Sequence, residues 1–262
     1  MSWFTHTTIA PGLTHISDGG EDSIYLFEGD RQAVLFDTGF GLHDLAGYVA
    51  TLTSKPIEVF QTHGHPDHAM GCYQFPRVWM HEADIPMCSG PVSDEMTVGI
   101  RDHFFGGTFP DDFPLELWKA RRPLPIPLDR EHYDYEEFQI DVIHTPGHTR
   151  GQVAYHIKPQ GYLIIGDTLV HGKAWMHLDD STDLETYRRS LTLIAALATE
   201  DTPVLCGHSE KPIPNRIVQA FPDFIAAVER GEVPGRKEST FAGDGIACIL
   251  DEPYGVLAKE TT

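Results

Sequence analysis

The stretch THGHPDH, residues 62–68, places His63, His65, Asp67 and His68 within six positions. Imidazole and carboxylate are the ligands that zinc takes in catalytic sites, where one position stays open for water. His63 and His65 are two apart, so in an extended segment both rings point to the same side and can grip one ion. Pro66 biases His65 toward extended backbone and suits the approach to a helix start. Asp67 and His68 then open a helix continuing through AMGC, and that change of direction lets them face a second ion beside the first.

Three more candidates follow downstream. Short apolar, β-branched or aromatic runs each stop at a polar residue of the metal-binding kind: IEVFQT runs into His63, FQIDVIHTPG into His148, GYLIIG into Asp167 and PVLCG into His208. Open α/β sheets place their sites just beyond strand ends, so four such endings can converge on one edge. The candidate metal ligands are therefore His63, His65, Asp67, His68, His148, Asp167 and His208.

The elements that must position them alternate between strand and helix. SIYLFEGDRQAVLFDTG reads as a hairpin turning near Gly29 and Asp30, and GIACILDEPYGVLAKE as another. In GLHDLAGYVATLTSKP, Leu42, Leu45, Val49 and Leu52 recur at helical spacing before Ser54 and Pro56 stop the pattern. A second helix opens at STDLETYRRSLTLIAAL, with Thr182 and Glu185 as a capping box and Leu184, Tyr187, Leu191 and Ile194 as its apolar stripe. Residues 81–130 differ in texture. Pro86, Pro91, Pro110, Pro114, Pro123, Pro125 and Pro127 interrupt them, and Phe104, Phe105, Phe109, Phe113 and Trp118 are scattered along them. This span is expected to be an irregular insert forming a lid or pocket wall within one domain covering 1–262.

The motifs resemble those of the metallo-β-lactamase fold hydrolases. THGHPDHAMG matches the H-x-H-x-D-H signature, TPGHTRGQVAYH the third motif, GDTL the fourth and CGHS the fifth, in order. The resemblance implies an α/β fold, an αββα four-layer sandwich with two mixed sheets packed face to face and helices outside. It also implies that His63, His65 and His148 hold one metal, that Asp67, His68 and His208 hold the other, and that Asp167 bridges. Asp37, in LFDTG, falls where the family keeps an aspartate that supports a ligand histidine.

Departures from family patterns narrow the branch. GDTL argues against a β-lactam substrate, and His65 excludes the flavodiiron pattern, which has Glu there. Thr168, Leu169 and Val170 stand where the best-known quorum-signal lactonases carry Tyr. The motif wording is nearest to hydroxyacylglutathione hydrolases, although GDTLVHGKAWMH lacks the G-C-G-R element of those proteins. Lys211, Arg216, Arg236 and Lys237 are the nearest supply of positive charge for an anionic substrate, and His171, close behind Asp167, is a candidate pocket residue.

Composition excludes other classes. A net charge of −20, from 39 acidic and 19 basic residues, opposes binding to nucleic acid. No apolar run reaches membrane-spanning length and no signal-peptide pattern opens the chain, so a cytoplasmic location is expected. Cys72, Cys88, Cys206 and Cys248 form no C-x-x-C pair, and Cys206 is expected to be a buried structural thiol rather than a nucleophile. No G-x-S-x-G occurs.

The resulting expectation is a hydrolase with two divalent ions, zinc first with iron or manganese as alternatives, acting on a small-molecule ester or thioester. Water activated between the ions is the nucleophile, and Asp67 orients it and takes its proton. The alternatives are a mononuclear iron oxygenase of the persulfide dioxygenase type, using His63, His65, His148 and Asp167, and a lactonase. Nothing in the sequence fixes the oligomeric state.

Overall fold

The computed structural model describes residues 3–120 and 124–260; Pro123 lies outside them. Seven strands form the first sheet in chain order, β1 (Phe4–Ala10), β2 (Leu13–Asp18), β3 (Asp22–Glu28), β4 (Ala33–Phe36), β5 (Ile57–Phe60), β6 (Val78–Met80) and β7 (Ile126–Pro127). Its first four strands are antiparallel and the rest parallel. The later strands are β8 (His132–Asp134), β9 (Gln139–His144), β10 (Val153–Lys158), β11 (Tyr162–Ile164), β12 (Lys173–Met176), β13 (Val204–Leu205), β14 (Gly235–Thr240), β15 (Gly243–Asp251) and β16 (Tyr254–Ala258). They make a five-stranded sheet ordered β13-β11-β10-β9-β8 and a four-stranded sheet ordered β12-β16-β15-β14.

Alternation along the strands dictates the layering, because successive side chains leave opposite faces. Tyr25, Phe27, Val34, Phe36 and Phe60 of the first sheet pack with Val153, Tyr155, Ile157, Ile164 and Leu205 of the five-stranded sheet. The intervening Ile24, Leu26, Ala33, Leu35 and Val59 face outward onto helix α1 (Leu45–Leu52) and the segment after the histidine motif. On the far side, Ala154, Leu163 and Val204 pack against helices α6 (Leu184–Leu197) and α7 (Asn215–Glu229). The order helix, sheet, sheet, helix is the expected sandwich. The four-stranded sheet is an addition to it, contributing Ala174, Met176, Cys248 and Val256 to the α6–α7 core.

Both expected hairpins form. The first expected helix is shorter than its apolar spacing suggests, since Asp44 caps it through the Gly47 amide and Leu42 stays outside. The expected capping box at Thr182 and Glu185 shifts by one residue: Asp183 is the N-cap and accepts from the Thr186 amide at 2.7 Å. A carboxylate there also complements the helix dipole.

Residues 81–130 contain more regular structure than their prolines suggest. They hold α3 (Ile85–Cys88), α4 (Asp94–Phe105), α5 (Leu115–Ala120) and β7. Ser93 caps α4 and Gly106, in the left-handed region, ends it. Their aromatic residues are packed: Trp118 is fully buried among Leu42, Met70, Val92 and Ile100, with Phe104, Phe105 and Phe113 against them. The Trp118 indole donates to the Phe40 carbonyl at 2.8 Å.

Candidate metal centre

The four strand endings meet where the two facing sheets are joined. The Val153 amide donates to the Thr62 carbonyl at 2.9 Å, the Ser23 amide to the Gly207 carbonyl at 2.7 Å, and the Tyr155 and Tyr25 hydroxyls to the carbonyls of Gln61 and Cys206. These cross-sheet bonds hold the ends of β5 and β13 in place. Beyond β5 the chain bends at Thr62, is extended again at His65, turns at Pro66 into α2 (Pro66–Ala69) and continues as a 3₁₀ turn through Gln74.

All seven candidate ligands converge there. Ligand atoms of His63, His65 and His148 lie within 4.8 Å of one another, as do those of His63, His68 and Asp167. Asp67, His68 and His208 form a further such group, together with Asp22. The Asp167 carboxylate touches both sides, with Oδ2 at 2.9 Å from His208 Nε2 and 3.7 Å from His148 Nε2, and Oδ1 at 3.5 Å from His68 Nε2.

Each histidine is fixed by its outer nitrogen. His63 Nδ1 meets the Thr62 hydroxyl at 3.0 Å, which itself donates to Asp37 Oδ2; His68 Nδ1 donates to the same Asp37 oxygen at 2.9 Å. His65 Nε2 donates to Asp180 at 2.9 Å, and His148 Nδ1 to the Trp175 carbonyl at 2.8 Å. His208 Nδ1 donates to the Glu21 carbonyl at 3.1 Å, with Asp22 Oδ1 at 3.2 Å. Such outer bonds set ring orientation and tautomer, leaving the inner nitrogen as the available donor. His65 Nδ1 and His148 Nε2 accordingly face each other at 2.8 Å.

Burial makes the case for a cation. His63 and His68 are fully buried and Asp167 nearly so, yet His63 Nε2, His68 Nε2 and Asp167 Oδ1 have no hydrogen-bond partner. Buried polar atoms are normally paired, and a shared cation satisfies all three at once. Burial, reinforced by His68 and His65, pushes His63 well below its ordinary pKa; burial and His65 bring His148 down to about 4. Both therefore carry neutral rings, the form that binds metal. Burial opposes charge on His68 too, but Asp67, Asp167 and Asp37 outweigh it and raise that ring to about 10. The residues fit divalent metal.

One glycine is required by this approach. A Cβ on Gly207 would stand 2.2 Å from Asp167 Oδ1 and 2.5 Å from His68 Cε1, so no larger residue can precede His208 without displacing them.

Asp37 occupies the supporting position that the family resemblance implies: buried, with φ at 64° and the Thr62 amide donating to it at 2.7 Å. Cys206 is fully buried on the α6–α7 side of its strand, where burial raises its thiol, so it is placed as a structural residue. Both His171 nitrogens are engaged, with the Lys211 carbonyl and the Tyr254 hydroxyl, each at 2.9 Å. Arg216, Arg236 and Lys237 are ion-paired with Asp251, Glu238 and Glu260.

Asp22, Asp84 and Asp180 have no motif that marks them. Asp84 accepts from the Gly64 amide at 3.0 Å, the Thr149 hydroxyl at 2.6 Å and the Gly151 amide at 2.7 Å, tying the His63–His65 loop to the His148 loop. The signal was at most a lone aspartate in a polar turn.

Comparison with known proteins agrees with this geometry. The model of the Metallo-beta-lactamase superfamily matches residues 18–208. Acyl-coenzyme A thioesterase MBLAC2 of Homo sapiens is 28% identical over 276 residues, covering 95% of each chain. A hydroxyacylglutathione hydrolase of Aeromonas salmonicida (strain A449) is 28% identical over 188 residues, 72% of this chain and 61% of that protein. Among solved structures, the metallo-beta-lactamase family protein TTHA1429 of Thermus thermophilus superposes with a TM-score of 0.60 at 22% identity, covering 86% of this chain and 81% of the other. TTHA1623 in a di-iron-bound form does so with 0.53 at 24% identity, covering 78% and 92%. The match spans every motif from Asp18 to His208, and the chain belongs to the metallo-beta-lactamase superfamily.

Proposed function

We propose that this chain is a dinuclear metal-dependent hydrolase of small-molecule acyl thioesters. The observation that carries the reading is Asp167, whose two oxygens reach both ligand groups. His63, His65 and His148 would hold one ion, Asp67, His68 and His208 the other, with Asp167 between them. Divalent ions held by these residues would lower the pKa of water and polarise a carbonyl oxygen.

Asp67 is half-buried, with Oδ2 at 3.6 Å from both His68 Nε2 and His208 Nε2. It borders the open side of the site, beside exposed His208, where it orients the attacking water and takes its proton. His171 is held by other partners and supplies no acid for a departing nitrogen. A thiolate departs without one, which favours thioesters over unstrained amides. The activity named for the relative that covers 95% of each chain supports the same class.

The ligand set is nitrogen and oxygen with no thiolate, which suits zinc, with iron or manganese as competitors. The assembled second group of Asp67, His68 and His208 favours the hydrolase over a mononuclear oxygenase, which does not use it. The 81–130 segment would form one wall of the site, a reading supported by the approach of His103 on α4 to within 3.7 Å of Glu21, whose carbonyl accepts from His208. Substrates are small molecules rather than nucleic acid, given the charge of −20. Among the described residues no helix is long and apolar enough to cross a membrane.

The test is kcat/KM on one acyl thioester, one activated ester, one lactone, one β-lactam and one phosphodiester, with EDTA-treated protein as control. The thioester is expected first, activity is expected to vanish with EDTA, and elemental analysis is expected to give two ions per chain. A β-lactam or phosphodiester in first place refutes the substrate class. One iron per chain with thiol-dependent oxygen uptake establishes the oxygenase instead.

A further inference from the structure

Phe241 breaks two rules at once. It sits in the two-residue turn between β14 and β15, a position that favours Asn-Gly and similar pairs rather than aromatics. It is also 97% exposed, the most exposed large apolar side chain among the described residues. The turn is nevertheless fixed. The Thr240 hydroxyl donates to the Gly243 carbonyl at 3.0 Å and accepts from the Ala242 amide at 3.1 Å, and His177 Nε2 meets it at 3.1 Å. The backbone thus holds the ring out toward water, where it gains nothing from burial.

The Phe241 ring has one aromatic neighbour, Trp175, at a centroid distance of 5.3 Å. On β12 the flanking Ala174 and Met176 are buried in the α6–α7 core, so the Trp175 side chain leaves by the opposite face and is only partly covered. The Trp175 carbonyl accepts from His148, and Asp180, five residues on, accepts from His65. The strand that carries Trp175, and the turn that follows it, thus also support the His63–His65–His148 group through its outer nitrogens.

We infer that Trp175 and Phe241 form an apolar lip that receives the acyl group of the thioester and sets its length preference. The inference rests on the thioesterase reading above and assigns the acyl side of the substrate to β12 and the β14–β15 turn. An extended hydrocarbon leaving the site past Trp175 covers the exposed face of Phe241. That gain is absent for an acetyl group, which is too short to reach it. Phe241 acts on substrate selection alone, and its removal leaves the metal ligands and their supports untouched.

The experiment uses the zinc-loaded full chain, Phe241→Ala and Phe241→Leu. Binding of coenzyme A alkyl thioethers with methyl, hexyl and decyl chains, which carry no scissile carbonyl, is measured by calorimetry beside kcat/KM on acetyl, hexanoyl and decanoyl thioesters. The wild type is expected to tighten with chain length. Phe241→Ala is expected to lose about tenfold at the decyl chain and nothing at methyl, with Phe241→Leu keeping most of the gain and metal content constant in all three. An unchanged chain-length gradient in Phe241→Ala, or no gradient in the wild type, overturns the lip. Sedimentation showing dimers that disappear in Phe241→Ala also overturns it, in favour of a second copy as the occupant. A Phe241-dependent gradient in thioether binding without any thioester turnover leaves the lip standing and removes the hydrolase reading. Turnover without the gradient does the reverse.

Discussion

Replacing Asp37 tests whether the centre is held from behind as the geometry requires. The side chain is buried and receives three hydrogen bonds, from the Thr62 amide at 2.7 Å, the Thr62 hydroxyl at 2.8 Å and His68 Nδ1 at 2.9 Å. Asp37→Ala removes all three. At about 1 kcal/mol net for each bond, the metal-free protein is expected to lose about 3 kcal/mol. The positive φ adds to this, because alanine tolerates the left-handed region less well than aspartate or asparagine. Loss of an outer partner to a ligand histidine typically lowers metal affinity about 10- to 100-fold, and here one carboxylate serves two ligands, since Thr62 relays it to His63. The upper end of that range is expected. Asp37→Asn keeps one acceptor oxygen and the backbone conformation but turns its NH2 toward at least one of these donors, so it is expected to lose about tenfold in affinity and less stability than Asp37→Ala, about 1 to 2 kcal/mol. Zinc affinity is read by competition with a chromogenic chelator and stability by urea unfolding of the metal-free proteins. Wild-type zinc affinity in Asp37→Ala would refute the reasoning.

Three further changes probe other parts of the structure. Asp167→Ala removes the carboxylate shared by both ligand groups and is expected to lower metal content and activity together by elemental analysis and initial rates, whereas Cys206→Ala is expected to keep full metal and turnover within a few-fold. Gly207→Ala changes no candidate ligand residue, but its new methyl group would displace Asp167 and His68, so weaker zinc binding is expected in the same chelator assay. Trp118→Ala empties a fully buried indole site beneath α4 and α5 and is expected to cost about 3 to 5 kcal/mol in urea unfolding.

The convergence of the seven candidate ligands was legible because their chemistry is local: His63, His65, Asp67 and His68 are neighbours in the chain, and His148, Asp167 and His208 each follow an apolar run. Both hairpins and the sheet-facing alternation were legible for the same reason. Asp22, Asp84 and Asp180 were not, since each acquires its role only when the two sheets meet and bring a distant loop within hydrogen-bonding range. The helices of 81–130 were obscured by prolines, although Ser93 and Gly106 do carry cap signals. Helix α7 runs through Pro222, which the breaker rule reads as an end; burial of Ile217, Val218, Phe221, Phe224 and Ile225 on one face sustains it.

The hydrogen bonds joining Thr62 to Val153 and Ser23 to Gly207 put the candidate centre on a seam, with candidate ligands from the first sheet on one side and from the five-stranded sheet on the other. An ion on that seam is a cross-link between the two halves of the sandwich. Any ligand that binds only the folded chain adds to its stability by mass action, about 4 kcal/mol when free ion is about 1,000 times Kd. Domains are stable by only about 5 to 15 kcal/mol in all. Metal supply in the cell would therefore govern how much of this protein persists as well as how much of it is active, and changes at the seam selected for a new substrate would act on abundance at the same time.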